Sequence, residues 1–181
     1  LRRQRQMCIR DSTPIVKLKK IVPIGCGEIY VKLEAFNPTG SKKDRMALSM
    51  ISGAEKRGVL KKGMTVVEYS GGSTGAGLAF VCSLKGYNFR LVTADVFGKE
   101  KIDLMRSLGA NLEIIKSSDG KINKELITKM IKKADQISKE PNTFFTNQLN
   151  NSDVIEGFVP LGEEILDQLN GNIDAVCDTV G

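Results

Sequence analysis

Apolar residues follow two alternating patterns along this chain. Short runs that are apolar at most positions are typical of parallel strands covered on both faces, and longer segments between them repeat apolar residues at helical spacing. Turns that carry Gly or Pro separate the segments. The predicted strands are Ile29–Glu34, Thr65–Glu68, Phe89–Thr93, Leu112–Ile115, Thr143–Thr146 and Ile173–Cys177. The predicted helices are roughly Lys42–Arg57, Thr74–Lys85, Lys99–Leu108, Lys121–Ser138 and Ser152–Leu169.

This alternation of strands and helices predicts an α/β fold, with open, mostly parallel sheets and helices on both faces. No apolar run approaches the ~20 residues that span a bilayer, and no signal peptide is recognisable, so we expect a cytosolic (cytoplasmic) protein without membrane contact. The last residues, 174–181, complete a predicted strand and open a Gly turn, which suggests that the sequence stops inside a binding loop.

The net charge of +6 is concentrated at the start of the chain. Residues 1–12 carry four Arg and one Asp, and their net charge of +3 is half of the total. They show neither apolar periodicity nor turn signals, so we interpret them as a non-native head; the alternative is a basic N-terminal arm. The remaining surplus is mild and spread out, and the chain has few aromatic residues, which argues against a nucleic-acid partner.

The chain has four cysteines and no histidine. The cysteines do not have the spacing of metal ligands, so isolated thiols are the favoured interpretation and no metal site is expected. Without histidine, Ser-His-Asp and Cys-His nucleophile systems are excluded. Proton transfer in an enzyme of this sequence would fall to Lys, Asp, Glu, Tyr or a cofactor.

A lysine at a helix start is the first candidate for chemistry. In the segment Asn37–Arg45, Pro38 and Gly40 turn the chain and Ser41 can cap the next helix, which places Lys43 in its first turn. The helix dipole disfavours the ammonium form there and favours the nucleophilic neutral amine. From local physics alone, an ordinary solvated lysine beside Lys42 is the favoured interpretation.

A Gly/Ser/Thr turn after the strand Thr65–Glu68 is the second candidate. Free N–H groups of Ser73, Thr74 and Gly75 could bind an anion such as a carboxylate or a phosphate. The spacing matches neither a dinucleotide fingerprint nor a Walker A loop, and a turn without a ligand is the alternative.

A polar run after the strand Thr143–Thr146 is the third candidate. Its Gln148 could point an amide into the same crevice, although Asn-rich turns are common and the signal is weak by itself. All three candidates follow predicted strands, where a shared crevice forms.

These motifs together resemble the cysteine synthase and cystathionine β-synthase family. Asn37-Pro-Thr-Gly-Ser-Lys-Lys-Asp-Arg45 is similar to the family motif whose lysine holds pyridoxal 5′-phosphate (PLP). Similar family segments are Thr13–Leu18, Ala54–Glu68 and Lys99–Ala110. The resemblance implies the two-domain PLP fold type II, with the C-terminal half missing from this chain.

The family pattern assigns roles to particular residues. Lys43 would be the catalytic residue and would bind the cofactor. Ser70, Gly71, Gly72, Ser73 and Thr74 would form the loop that grips the substrate carboxylate, with Gln148 beside it. Ser73 stands where the family has an Asn that contacts the cofactor, and Gly181 would open the phosphate-binding loop.

The family also implies domains, a reaction and partners. Residues 13–36 and 147–181 would belong to an incomplete large PLP domain, and residues 37–146 to a small mobile domain. We expect β-replacement, in which O-acetylserine and sulfide give cysteine and acetate. The alternatives are a β-eliminating or dehydratase-type PLP enzyme acting on serine-like or threonine-like amino acids, and a non-catalytic anion-binding α/β domain. The partner would be a small amino-acid substrate, and the parent protein would be a homodimer.

Overall fold

The computed structural model describes residues 12–178, which form six strands and five α-helices. The strands are β1 Ile15–Lys17, β2 Tyr30–Lys32, β3 Thr65–Tyr69, β4 Asn88–Ala94, β5 Asn111–Ile115 and β6 Thr143–Phe145. The helices are α1 Lys43–Lys56, α2 Ser73–Lys85, α3 Lys99–Ser107, α4 Lys124–Ser138 and α5 Asp153–Gln168. All five predicted helices are confirmed within a few residues.

A four-stranded parallel sheet forms the centre of the fold. Its strand order is β5–β4–β3–β6, and Val66 of β3 lies opposite Phe89 of β4 and Phe144 of β6. Strands β1 and β2 form a separate antiparallel pair in which Val16 faces Val31. The predicted α/β fold with mostly parallel strands is confirmed.

The two faces of the sheet are covered by different helices. Because side chains alternate along a strand, Val66 and Leu91 contribute to one core with α1, α2 and α3. Val67 and Val92 contribute to a second core with α4 on the opposite face. Helices therefore cover both faces, as predicted.

The ends of the described segment differ from the prediction. Residues 173–177 form no strand, and Val176 is 74% exposed. A strand needs a neighbour for its backbone N–H and C=O groups, and no described strand lies beside this segment. Conversely, β1 has only three residues, too few to show alternation, and was not predicted. The predicted strand Ile29–Glu34 shortens to Tyr30–Lys32, and Glu34 belongs instead to the 3-10 helix Glu34–Phe36.

None of the helices within residues 12–178 is long and apolar enough to cross a membrane.

Candidate active site

The loops that follow β3 and β6 meet at one edge of the sheet. These strands are parallel neighbours, so their carboxyl ends lie side by side. The Thr146 backbone N–H donates to the Val67 carbonyl at 3.1 Å, and the Gln148 side-chain amide donates to the Tyr69 carbonyl, also at 3.1 Å. Gln148 therefore lies beside the turn at residues 70–74.

A buried carboxylate fixes this junction. Glu68 is fully buried and accepts hydrogen bonds from the Tyr69 N–H at 2.8 Å, the Thr146 hydroxyl at 2.7 Å and the Gln148 N–H at 2.9 Å. Burial raises the pKa of Glu68, and the three hydrogen bonds oppose that rise only in part. Sequence reasoning missed this residue, although a charge inside the apolar run TVVEY was a signal for it.

Ser70 shapes the turn from within. Its hydroxyl oxygen accepts hydrogen bonds from the N–H groups of Gly72 and Gly75, each at 3.1 Å. The expectation that the Gly75 N–H is free to bind an anion was therefore wrong. The N–H groups of Ser73 and Thr74 have no hydrogen-bond partner among residues 12–178, so these two amides are available at the start of α2.

Lys43 is the first residue of α1, and its backbone packs against α2. A Cβ atom on Gly77 would lie 3.0 Å from the Lys43 carbonyl oxygen, so glycine permits this close approach. Ser41 accepts a hydrogen bond from the Lys43 N–H at 3.2 Å, which matches the predicted capping role, although Lys42 occupies the cap position. The first turns of α1 and α2 therefore lie together at the same edge.

The amine of Lys43 is half-buried. Its Nζ lies 3.9 Å from the Met46 sulfur and 5.7 Å from the ring centre of Phe158 on α5. Burial lowers the pKa of the Lys43 amine, the charge of Lys42 lowers it further, and Asp178 opposes both. The direction agrees with the prediction, although burial, and not the helix start, is its main cause.

The structure joins some predicted site residues and leaves others apart. Among residues 12–178, no hydrogen bond or ion pair connects the Lys43 amine to residues 70–74. The side chain of Ser73 is exposed, whereas Ser70 and Thr74 are buried. Gly181 lies outside the described residues, as does the head, residues 1–12, apart from its last residue.

Hydrogen bonds among its polar residues hold the motif around Lys43. Asp44 is fully buried and accepts hydrogen bonds from the Thr39 backbone, at 2.8 Å, and from the Thr39 hydroxyl. The Asn37 amide donates to the Glu34 carbonyl and to its carboxylate, both at 2.8 Å. These contacts fix the turn that carries the chain into α1.

Arg45 connects α1 to both ends of the described chain. Its guanidinium contacts Glu34 at 2.8 and 3.0 Å and Glu164 of α5 at 2.7 and 2.8 Å. Lys32 also binds Glu164, at 2.8 Å, and donates to the Thr13 carbonyl at 2.7 Å. We call Thr13, Lys32, Glu34, Arg45 and Glu164 the Arg45 cluster.

Known proteins resemble this chain along most of its length. The family model described as "Pyridoxal-phosphate dependent enzyme" matches residues 9–181. The cysteine synthase of Staphylococcus aureus (strain Mu50 / ATCC 700699) is 40% identical over 177 residues, covering 96% of this chain and 54% of the relative. The chain thus spans about half the length of the curated relatives it matches.

Solved structures show the same fold. A hydrogen sulfide-producing enzyme from Fusobacterium nucleatum matches with a TM-score of 0.83 and 35% identity, over 93% of this chain and 53% of that chain. The O-acetyl serine sulfhydrylase isoform 3 from Entamoeba histolytica matches with a TM-score of 0.81 and 32% identity, over 93% and 50% of the two chains. The PLP fold type II predicted from the sequence is confirmed over the part of the fold that this chain spans. Because the family model matches nearly the whole chain and the cysteine synthases align along it, the chain belongs to the family of pyridoxal-phosphate dependent enzymes that includes the cysteine synthases.

Proposed function

We propose that the protein catalyses β-replacement on an amino acid, with O-acetylserine and sulfide giving cysteine and acetate. The observation that carries this proposal is the half-buried Lys43 amine with its lowered pKa, on a helix start packed against the helix that follows the turn at 70–74. A lysine that releases its proton readily can serve as nucleophile and as base. The names of the relatives, cysteine synthase and O-acetyl serine sulfhydrylase, support the same reaction.

The residues present fit PLP at the lysine. The Lys43 amine makes no hydrogen bond to oxygen or nitrogen among residues 12–178, so no described acceptor competes for it. Lys43 would hold the cofactor through this amine. When bound, PLP supplies a ring that stabilises negative charge at the substrate's α-carbon. Ser73 and Gly181 are proposed as further cofactor contacts from the family pattern.

The chain's own residues would orient the substrate and move its proton. The N–H groups of Ser73 and Thr74 would bind the substrate carboxylate, and Gln148 would border it. Ser70, Gly71 and Gly72 would shape this loop, with the Ser70 hydroxyl holding the turn. Fixing the carboxylate presents the α-hydrogen to Lys43, whose neutral amine accepts that proton.

A lysine substitution tests the proposal. In the protein as its gene encodes it, Lys43→Ala should abolish both the absorbance of a lysine-linked PLP near the visible edge and the formation of cysteine from O-acetylserine and sulfide. Lys56→Ala, an exposed change on the same helix, should preserve both. A PLP absorbance that persists unchanged in Lys43→Ala would remove the basis of the proposal.

A β-eliminating or dehydratase-type reaction is the second candidate. The exposed Ser73 side chain, which makes no hydrogen bond among the described residues, favours it because a short hydroxyl stands where the family has an Asn amide. Measuring acetate release with and without sulfide separates the candidates. Release that does not require sulfide, with pyruvate as product, would favour elimination.

The domain assignment also remains a proposal. Residues 13–36 and 147–181 would form part of the large domain, and residues 37–146 the small mobile one. Contacts between the two ends support it, since Lys32 binds Glu164 and the Thr13 carbonyl accepts from Gln168 at 3.1 Å. A distance between labels on the two parts that is unchanged by substrate would argue against mobility. The homodimer, the cytosolic location and the absence of a nucleic-acid partner also remain predictions.

A further inference from the structure

The segment that runs from the end of β4 into the first turn of α3 lies against the turn at 70–74. A Cβ atom on Gly71 would lie 2.1 Å from the ring of Phe97, so this ring covers the Gly71 backbone. A Cβ atom on Gly72 would lie 3.7 Å from the ammonium nitrogen of Lys101. Two side chains of one segment therefore approach two successive glycines of the turn.

The backbone of Lys101 is fixed within α3, whereas its ammonium group is unpaired among the described residues. Its N–H donates to the Gly98 carbonyl at 3.0 Å, and α3 is anchored by the buried Met105. Among residues 12–178, the Lys101 ammonium forms no ion pair or hydrogen bond. Lys99, two residues earlier, is paired with Asp103.

We propose that Lys101 is a substrate-binding residue that binds the carboxylate of the amino-acid substrate together with the amides of Ser73 and Thr74. This inference rests on the proposed function, because it names a residue of that same site. The two amides supply partial charges at a helix start, and Lys101 adds a full positive charge beside them. Because Lys101 is exposed, salt should weaken its contribution.

Kinetics provide the first test, in the protein as its gene encodes it. Lys101→Met should raise the KM for the amino-acid substrate about tenfold, which corresponds to ~1.4 kcal/mol, and leave kcat within about twofold. Lys101→Arg should restore most of the loss. Lys99→Met, on the same exposed helix start, should match the wild type. A fall in kcat with an unchanged KM would overturn the proposal.

Direct carboxylate binding provides a test independent of turnover. Titration with acetate should shift the backbone amide resonances of Ser73 and Thr74 in the wild type, with an affinity that falls as NaCl rises. Lys101→Met should weaken that binding about tenfold and reduce its salt dependence. Equal acetate affinity in Lys101→Met and wild type would overturn the proposal, and intact resonances elsewhere would show that the variant is folded.

The two tests distinguish this inference from the proposed function. If no lysine-linked PLP absorbance or cysteine formation is found, but acetate binding depends on Lys101, the function fails and the carboxylate site stands. If cysteine formation depends on Lys43 and acetate affinity does not depend on Lys101, the proposed function stands and this inference fails.

Discussion

Arg45→Met tests what holds the start of α1. The change keeps an apolar stem and removes a guanidinium that is 4% exposed and contacts two carboxylates at 2.7–3.0 Å. Removing one partner of a buried ion pair costs about 3–5 kcal/mol, because the other charge is left uncompensated. Lys32 still binds Glu164, and Thr13 still donates to Glu34. We therefore expect a loss of about 3 kcal/mol in unfolding free energy.

The loss should depend on pH. Burial alone would raise the pKa values of Glu34 and Glu164, but hydrogen bonds led by those from Arg45 outweigh it and hold both below the usual 4.5. A carboxyl with a lowered folded-state pKa contributes stability above its unfolded pKa and loses it as pH falls through the folded value. The difference in unfolding free energy between wild type and Arg45→Met should therefore be largest near neutral pH and should shrink below about pH 4.5.

Urea unfolding followed by far-UV circular dichroism measures this difference in unfolding free energy. Arg106→Met is the matched control, since Arg106 is exposed and, among residues 12–178, its guanidinium pairs with Asp103 alone, at 3.0 Å. It should cost no more than about 0.5 kcal/mol. Equal small losses in both variants, or a gap that widens on acidification, would refute the reasoning.

Three further predictions concern the site and the core. Lys42→Met should raise the pKa of Lys43, because one nearby positive charge is removed, and an NMR titration of labelled lysine ε-carbons would show a higher midpoint. Cys82, fully buried with its pKa raised to about 12 by burial, should react with thiol reagents only after unfolding, which peptide mapping would detect. Gly77→Val should lower unfolding free energy by about 2 kcal/mol, because α1 and α2 must separate, and a thermal melt would report it.

Each of these predictions has a control within the chain. Lys56→Met should leave the Lys43 midpoint unchanged, and an equal rise in both variants would contradict the local effect. Exposed Cys26 should be labelled in the native state, and equal labelling rates for both cysteines would contradict the packing. Gly162 in α5 has open space at its Cβ position, and valine has a higher helix propensity than glycine, so Gly162→Val should not lower the unfolding free energy.

Local spacing explains which elements the sequence predicted well. The helices α1 to α5 and the central strands carry clear apolar periodicity, and the positions of Lys43 and Gln148 at element boundaries followed from it. The strand β1 was missed, and residues 173–177 were wrongly predicted as a strand, because a strand depends on partners distant in sequence.

Polar contacts between residues far apart in the chain could not be predicted from the sequence either. The role of Glu68 depends on Thr146, which is 78 residues away along the chain. Arg45 meets Glu164 across 119 residues. The use of the Gly75 N–H by Ser70 depends on the shape of the turn, which residue types alone do not specify.

The strand order β5–β4–β3–β6 has a consequence for how this site can change. The chain adds strands in one direction up to β5 and then returns past β4 to place β6 on the other side of β3. At that reversal the connections leaving β3 and β6 lead to different helices, α2 and α5, and a ligand crevice is expected at such a point of a parallel sheet. Ser73 is exposed and adds nothing to the strand ladder, so replacing it can redirect ligand preference while the scaffold keeps its stability, whereas a side chain at Gly71 would collide with the Phe97 ring.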